Sequence, residues 1–217
     1  MRLVLFDVDG TLVDSQNIIV AALTAAYAAH GLAAPSRAQA LSIVGLSLPE
    51  AFSALLGPHA PLDSLAHAYR DAFFALRASA AHDEPFFPGA EAAVARLGDR
   101  TDVLIGLATG KSRRGVAHLC ARAGWETVFA TVQTADEHPS KPAPDMILAA
   151  LAETGARADL AFMIGDTTYD MAMARAAGVR PIGVAWGYHD AAALREAGAE
   201  QVIAGFDALD ALIGERI

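Results

Sequence analysis

The sequence predicts an α/β fold in which a parallel sheet is flanked by helices and an all-helical segment is inserted directly after the first strand. Three observations carry this. Leu3-Val4-Leu5-Phe6 is an apolar run that stops at Asp7, the pattern of a buried strand. Residues 15–84 contain no convincing strand. They show helical patterns near 16–30, 48–57 and 61–79, separated by Gly31, Pro35, Gly57, Pro58 and Pro61. Beyond the stiff linker Glu84-Pro85-Phe86-Phe87-Pro88-Gly89, strands and helices alternate. The strands lie near 102–108, 129–133, 160–165, 181–185 and 201–204. The helices lie near 89–98, 112–123, 144–155, 168–177, 190–197 and 206–214. The core is therefore expected to comprise residues 1–14 and 85–217, and the helical insert residues 15–84.

Composition narrows the function. The chain has 217 residues, of which 54% are hydrophobic, enough for one domain with a sizeable insert or for two small domains. A net charge of −9 argues against a nucleic-acid partner, which requires clustered Lys and Arg. The single cysteine, Cys120, rules out an internal disulfide and fits a reducing compartment, so a cytoplasmic location is expected. It aligns with Val116, Leu119 and Ala123 on one helical face and reads as a core thiol. Residues 15–36 carry no formal charge apart from histidine, yet Gln16, Asn17, Thr24, His30 and Gly31 interrupt them. Ile19, Ala22, Leu23, Ala26 and Tyr27 share one face, which reads as a packed amphipathic helix rather than a membrane span.

The most informative segment is Asp7-Val8-Asp9-Gly10-Thr11-Leu12-Val13-Asp14. Two carboxylates two residues apart at the end of a buried strand are costly unless they are paired or bind a metal. Gly10 and Thr11 suit a turn that brings backbone amides near an anion. In open α/β sheets, sites form beyond the carboxyl ends of the strands, and other such ends carry polar chemistry. Thr109-Gly110-Lys111-Ser112 follows one strand and Gly165-Asp166-Thr167-Thr168-Tyr169-Asp170 another, with Ser140-Lys141-Pro142-Ala143-Pro144-Asp145 between them. Gly106-Leu107-Ala108-Thr109-Gly110-Lys111-Ser112 imitates a phosphate-binding P-loop, but it has three residues rather than four before the Gly-Lys pair, so that class is excluded.

Taken together, these segments resemble the haloacid dehalogenase superfamily, in the branch with a helical cap after the first strand, and within it the phosphoglycolate phosphatase group. The likeness runs along essentially the whole chain. It rests on Asp7-Val8-Asp9-Gly10-Thr11, Thr109, Lys141-Pro142 and Gly165-Asp166-Thr167-Thr168-Tyr169-Asp170, with Gly183-Val184-Ala185-Trp186-Gly187-Tyr188 fitting the narrower group. It implies a Rossmannoid parallel-sheet core with an inserted four-helix-type cap. It also implies a phosphatase acting on a small phosphorylated metabolite, as a monomer or homodimer, without nucleic acid or membrane.

The implied chemistry makes Asp7 the nucleophile, which forms an aspartyl-phosphate and splits one hard displacement into two. Mg²⁺ would be held by the Asp7 carboxylate, the Asp9 backbone carbonyl and the Asp166 carboxylate, with Asp170 in support. Asp9 would serve as general acid and base. The Thr109 hydroxyl and Gly110 amide would hold phosphate oxygens, Lys141 would add positive charge, and Thr11 would orient Asp9.

Other residues are read more plainly. Asp14 either caps the following helix or acts in the site, Thr167 either caps its helix or bonds near the site, and Asp145 sits in a first helical turn. Lys111 is expected to be solvated, the seven histidines to be surface or satisfied core residues, and Trp186 and Tyr188 to pack at the site's edge. The loop Gly45-Leu46-Ser47-Leu48 would face the catalytic loop, with Ser47 its only polar side chain. Arg37, Arg70 and Arg77 are the only Lys or Arg of the insert, read as solvated rather than as carboxylate grips. The absence of lysine there argues against the phosphonate-cleaving relatives and weakens a sugar-phosphate mutase. The presence of Asp9, Asp166 and Asp170 argues against a dehalogenase. Phosphoglycolate leads as substrate, ahead of sugar phosphates, nucleoside monophosphates and pyrophosphate. His189, where the group often has glycine, is a departure. Hinges are expected near 13–16 and 84–88.

Overall fold

The computed structural model describes residues 1–79 and 82–214. Six parallel strands form one sheet: β1 (Arg2–Phe6), β2 (Val103–Thr109), β3 (Thr131–Thr134), β4 (Ala161–Gly165), β5 (Arg180–Val184) and β6 (Gln201–Ile203). Their order is β3-β2-β1-β4-β5-β6, so the first strand of the chain is central. Burial on both faces explains why β1 reads as an uninterrupted apolar run. Val4 and Phe6 pack into one core layer with Val94, Leu97 and Leu209, whereas Leu3 and Leu5 pack into the other with Met146, Ile147 and Met173. The first layer is covered by α5 (Ala90–Gly98), α6 (Arg113–Ala123) and α10 (Leu209–Gly214), the second by α7 (Asp145–Thr154) and α8 (Thr168–Ala176); α9 (Ala191–Glu196) packs on β5 and β6.

The segment after β1 is helical: α1 (Gln16–Ala29), α2 (Arg37–Ser42), α3 (Leu48–Leu56) and α4 (Leu62–Ala78). It has its own apolar cluster, in which Ile19, Leu23, Tyr27, Phe52 and Leu65 are buried. The face of α1 predicted to pack is the buried one, and no described helix is long and apolar enough to cross a membrane. Helix α2 is absent from the expected pattern. Its six residues are too few for a periodic signal, but Ser36 and Gln39 form a capping box that the sequence spells out. The two connections to the helical segment are paired: Val13 and Phe86 form an antiparallel bridge, Asp14 N donates to Pro85 O at 2.8 Å, and Phe87 N donates to Leu12 O at 3.0 Å.

Register aligns the strand ends that carry the polar residues. Phe6 stands opposite Leu107 on one side and Ile164 on the other. Asp7, Thr109 and Asp166 therefore emerge at the same edge of three adjacent strands.

Candidate active site

Asp7 leaves β1 with its amide donating to Ile164 O at 2.9 Å, which holds it against the end of β4. The chain then coils tightly, with Val8 O accepting from Leu12 N and Val13 N at 2.9 Å each. Gly10 sits at φ +86°, and a Cβ there would overlap the Asp166 carboxylate. The loop can thus lie directly on Asp166.

Asp7, Asp166 and Asp170 each offer an oxygen within 4.8 Å of the others, and all three are buried. Neither oxygen of Asp7 has a hydrogen-bond partner; Lys141 Nζ stands 3.1 Å from Oδ1 as an ion pair. Burial pushes the Asp7 carboxyl up to about 6, against the pull of Lys141. Asp166 is raised well above the usual carboxylate range by burial, with Asp170 and Asp7 adding repulsion. Its Oδ1 accepts from Thr11 Oγ1 and its Oδ2 from Tyr188 N, both at 2.9 Å. A Cβ at Gly187 would overlap Asp166, so the loop after β5 also depends on glycine. Lys141, completely buried, donates to Asp170 Oδ1 at 2.6 Å. Burial works against its ammonium, but Asp170 and Asp7 outweigh it and hold the group above its ordinary range. Asp170 Oδ2 accepts from Thr167 N at 3.1 Å and Thr167 Oγ1 at 2.7 Å in a capping box of α8.

The donor set fits a hard divalent cation. It consists of oxygens only, the Asp7 oxygens accept no hydrogen bond and meet only the Lys141 ammonium, and three carboxylates against one ammonium leave an excess of two negative charges when all are ionised. Asp170 differs from Asp166, whose oxygens take only neutral donors, in holding the Lys141 ammonium directly at 2.6 Å, which suits a supporting place better than direct ligation.

Asp9 points elsewhere. Its Oδ1 accepts from Ser15 Oγ at 2.6 Å and from Lys111 Nζ at 2.7 Å. Lys111 also lies 3.5 Å from Glu84 Oε1, and Glu84 takes a fork of hydrogen bonds from Arg77 at 2.7 and 2.8 Å. Two expectations are corrected here. Lys111 is buried in an ion pair rather than solvated, because its chain folds back over the α6 N-terminus into the acidic cleft. Thr11 bonds Asp166, not Asp9, because the coiled loop turns the two side chains apart.

The remaining positions fall as follows. Thr109 is buried at the end of β2, its Oγ1 accepting from Lys111 N at 3.2 Å. Gly110 lies beneath the loop between α2 and α3: a Cβ on it would sit 2.6 Å from Gly45 O. Ser47 N donates to Ser140 Oγ at 2.8 Å, and Tyr169 OH donates to Ser42 O at 3.0 Å. The helical segment is thus closed over the strand ends, enclosing a cavity of about 440 Å³ lined by Asp7, Asp9, Thr109, Gly110, Ser47 and Ser140 among others. Thr167 caps its helix and Asp145 lies in the first turn of α7. Asp14 accepts from Gln16 N at 3.3 Å and so assists the start of α1. Trp186 donates to Thr11 O, and Tyr188 OH accepts from Ser15 N, so both brace the edge. Cys120 is buried in the core. His189 departs from a satisfied histidine: Nδ1 accepts from Thr168 N, but the buried Nε2 has no partner among the described residues. Sequence reasoning missed Ser15, Lys111 and Glu84 as neighbours of Asp9; only Lys111, one of two lysines, carried any signal.

A doubly layered α/β core with paired aspartates at its central strand, a buried lysine and a helical cap defines an acid-residue hydrolase of the capped kind. The chain belongs to the haloacid dehalogenase-like hydrolase family, whose model matches residues 4–184, and is an enzyme similar to phosphoglycolate phosphatases. It is 34% identical to a probable phosphatase, IndB, of Dickeya dadantii, over 94% of this chain and 90% of that one. It is 29% identical to a phosphoglycolate phosphatase of Xanthomonas campestris, over 86% of this chain and 84% of the relative. A solved hydrolase from Pseudomonas syringae superposes with a TM-score of 0.85 at 26% identity, covering 100% of both chains.

Proposed function

We propose that this protein is a Mg²⁺-dependent phosphatase that hydrolyses a small phosphate monoester through an aspartyl-phosphate on Asp7. The observation that carries this is the Asp7 carboxylate, buried at the cavity floor with both oxygens free of hydrogen bonds. A buried charge whose one partner is an ammonium shared with Asp170 is under-compensated, and a site that needs it for attack and for cation binding accounts for that cost.

The Asp7 carboxylate, the Asp9 backbone carbonyl and the Asp166 carboxylate would hold the metal, with Asp170 in support, and a bound cation would offset the charge of the phosphoryl group and of the carboxylates around it. An oxygen of Asp7 attacks phosphorus, the ester P–O bond breaks, and Asp9 gives its proton to the leaving alcohol. Ser15 and Lys111 engage only Oδ1 of Asp9, which leaves Oδ2 to carry that proton. Water then loses a proton to Asp9, attacks phosphorus, and displaces Asp7 with release of inorganic phosphate. The Thr109 hydroxyl, the Gly110 amide and the Lys141 ammonium fix the phosphoryl oxygens, and positioning of this kind supplies most of the rate in phosphoryl transfer. Thr11 holds Asp166, and Ser47 stands where the substrate's far end enters. The single thiol is consistent with action in the cytoplasm, and one chain supplies every residue named, so a monomer or homodimer serves. Phosphoglycolate is the reference substrate, on the strength of the relatives.

The test is inorganic phosphate release from a panel of small monoesters, with Mg²⁺ and with chelator. Mg²⁺-dependent release that Asp7→Asn reduces by at least about 10⁴-fold supports the reading. Release at near wild-type rate from Asp7→Asn overturns it.

A further inference from the structure

The cavity above Asp7 differs in two ways from what a two-carbon acid requires. The first is size: about 440 Å³ lies in the range of roughly 300–1,000 Å³ typical of pockets that enclose drug-sized ligands. The second is chemistry. The cap side is walled by Ile19, Leu23, Ile43, Val44, Tyr69 and Phe73. Tyr69 and Phe73 are stacked 5.8 Å apart on α4, and Phe52 meets Tyr69 edge-on at 6.4 Å, which makes one face of the cavity aromatic.

Two of the cavity's three lining cations are committed. Arg77 is spent on Glu84 and Lys111 on Asp9 and Glu84. Arg70, also on the lining, is exposed and pairs with no carboxylate among the described residues. Lining the same space are four carboxylates, Asp7, Asp9, Glu50 and Asp136, against three cations, Arg70, Arg77 and Lys111. A carboxylate or second phosphate would find exposed Arg70 as its one unpaired cation among the described residues, and four carboxylates lining the same space. An uncharged ring would find the apolar wall of Ile19, Leu23, Ile43, Val44, Tyr69 and Phe73.

We propose that the substrate is a phosphate monoester of an uncharged, ring-bearing alcohol, with the phosphate over Asp7 and the ring between Ile43 and Val44 on one side and Tyr69 and Phe73 on the other. This rests on the phosphatase reading above and places phosphoglycolate second.

The experiment compares kcat/KM for benzyl phosphate, ethyl phosphate and phosphoglycolate with Mg²⁺ present. All three release primary alcohols, so the ring and the extra charge are the variables. The expected result is roughly tenfold or more in favour of benzyl over ethyl phosphate, with phosphoglycolate no better than ethyl. Phe73→Ala should bring the benzyl-to-ethyl ratio towards one. Should that variant fail to fold, competitive inhibition of the unaltered enzyme by benzyl alcohol, and none by ethanol at the same concentration, reads the same contact. A benzyl-to-ethyl ratio near one, or phosphoglycolate as the best of the three, overturns the inference and leaves the phosphatase reading standing. No phosphate release from any of the three overturns both.

Discussion

Lys111 Nζ lies 2.7 Å from Asp9 Oδ1 and 3.5 Å from Glu84 Oε1. One ammonium thus joins the loop after β1 to the segment that returns from the helical cap, and Arg77 of α4 completes the chain through Glu84. The proposed proton donor and the closed cap share a single electrostatic tie.

Removing that ammonium should be expensive. Lys111→Met leaves Asp9 and Glu84 facing each other across a poorly solvated cleft, and breaking a buried pair from one side costs about 3–5 kcal/mol. Urea unfolding of the variant should show a loss of roughly this size, partly restored by Lys111→Arg. A change under about 0.5 kcal/mol would show that the tie contributes nothing to the fold.

Asp7 makes the metal-free protein pH-sensitive. Its folded value of about 6 lies above the ordinary 3.8, so the folded state binds the extra proton between those values. The contribution of Asp7 to stability in chelator should therefore be most favourable below pH 4, fall as the pH rises through about 6, and stay level above it. The shift corresponds to about 3 kcal/mol. Asp7→Asn removes the penalty, so in chelator this variant should be the more stable protein at pH 7.5 and lose most of that advantage at pH 4.5. Equal differences at both pH values in urea titrations would contradict the assignment.

Gly110 and Gly45 meet so closely that a methyl group at position 110 would sit 2.6 Å from Gly45 O. Gly110→Ala must push the α2–α3 loop away from the strand ends while leaving the sheet untouched. Turnover is expected to fall at least about 10²-fold, as misplacement near reacting groups commonly costs, with a melting temperature within a few degrees of the parent. A variant with unchanged kcat/KM would mean that closure by this loop is dispensable.

The sheet was legible because strands buried on both faces, such as Leu3-Val4-Leu5-Phe6, write themselves as continuous apolar runs, and each polar motif follows one. The capping box Ser36–Gln39 was equally present, but six helical residues give periodicity too little length to show. Which motif residues touch was harder to read. Thr11 follows Asp9 by two positions, yet the Val8-centred coil sends it to Asp166, and no spacing rule predicts such a turn. Lys111 was read as solvated because a lysine at a helix start ordinarily is; its partner Glu84 is 27 positions earlier and is brought near only by the return strand of the cap. The cavity's character was the least legible of all, since Ile43, Tyr69 and Phe73 look in sequence like any apolar stripe.

The central place of β1 sets an order of events while the chain is being made. Arg2 must wait for Val103 and Leu3 for Ala161 before either side of the first strand is covered. At about 5–20 residues per second, the first of these partners leaves the ribosome roughly 5–20 s after β1 does. Throughout that interval the apolar first strand is a nascent segment with no sheet to join, and before it ends α1 and α4, which pack against each other, have both been synthesised. All four helices of the insert are therefore synthesised before the strand from which they hang meets its first partner.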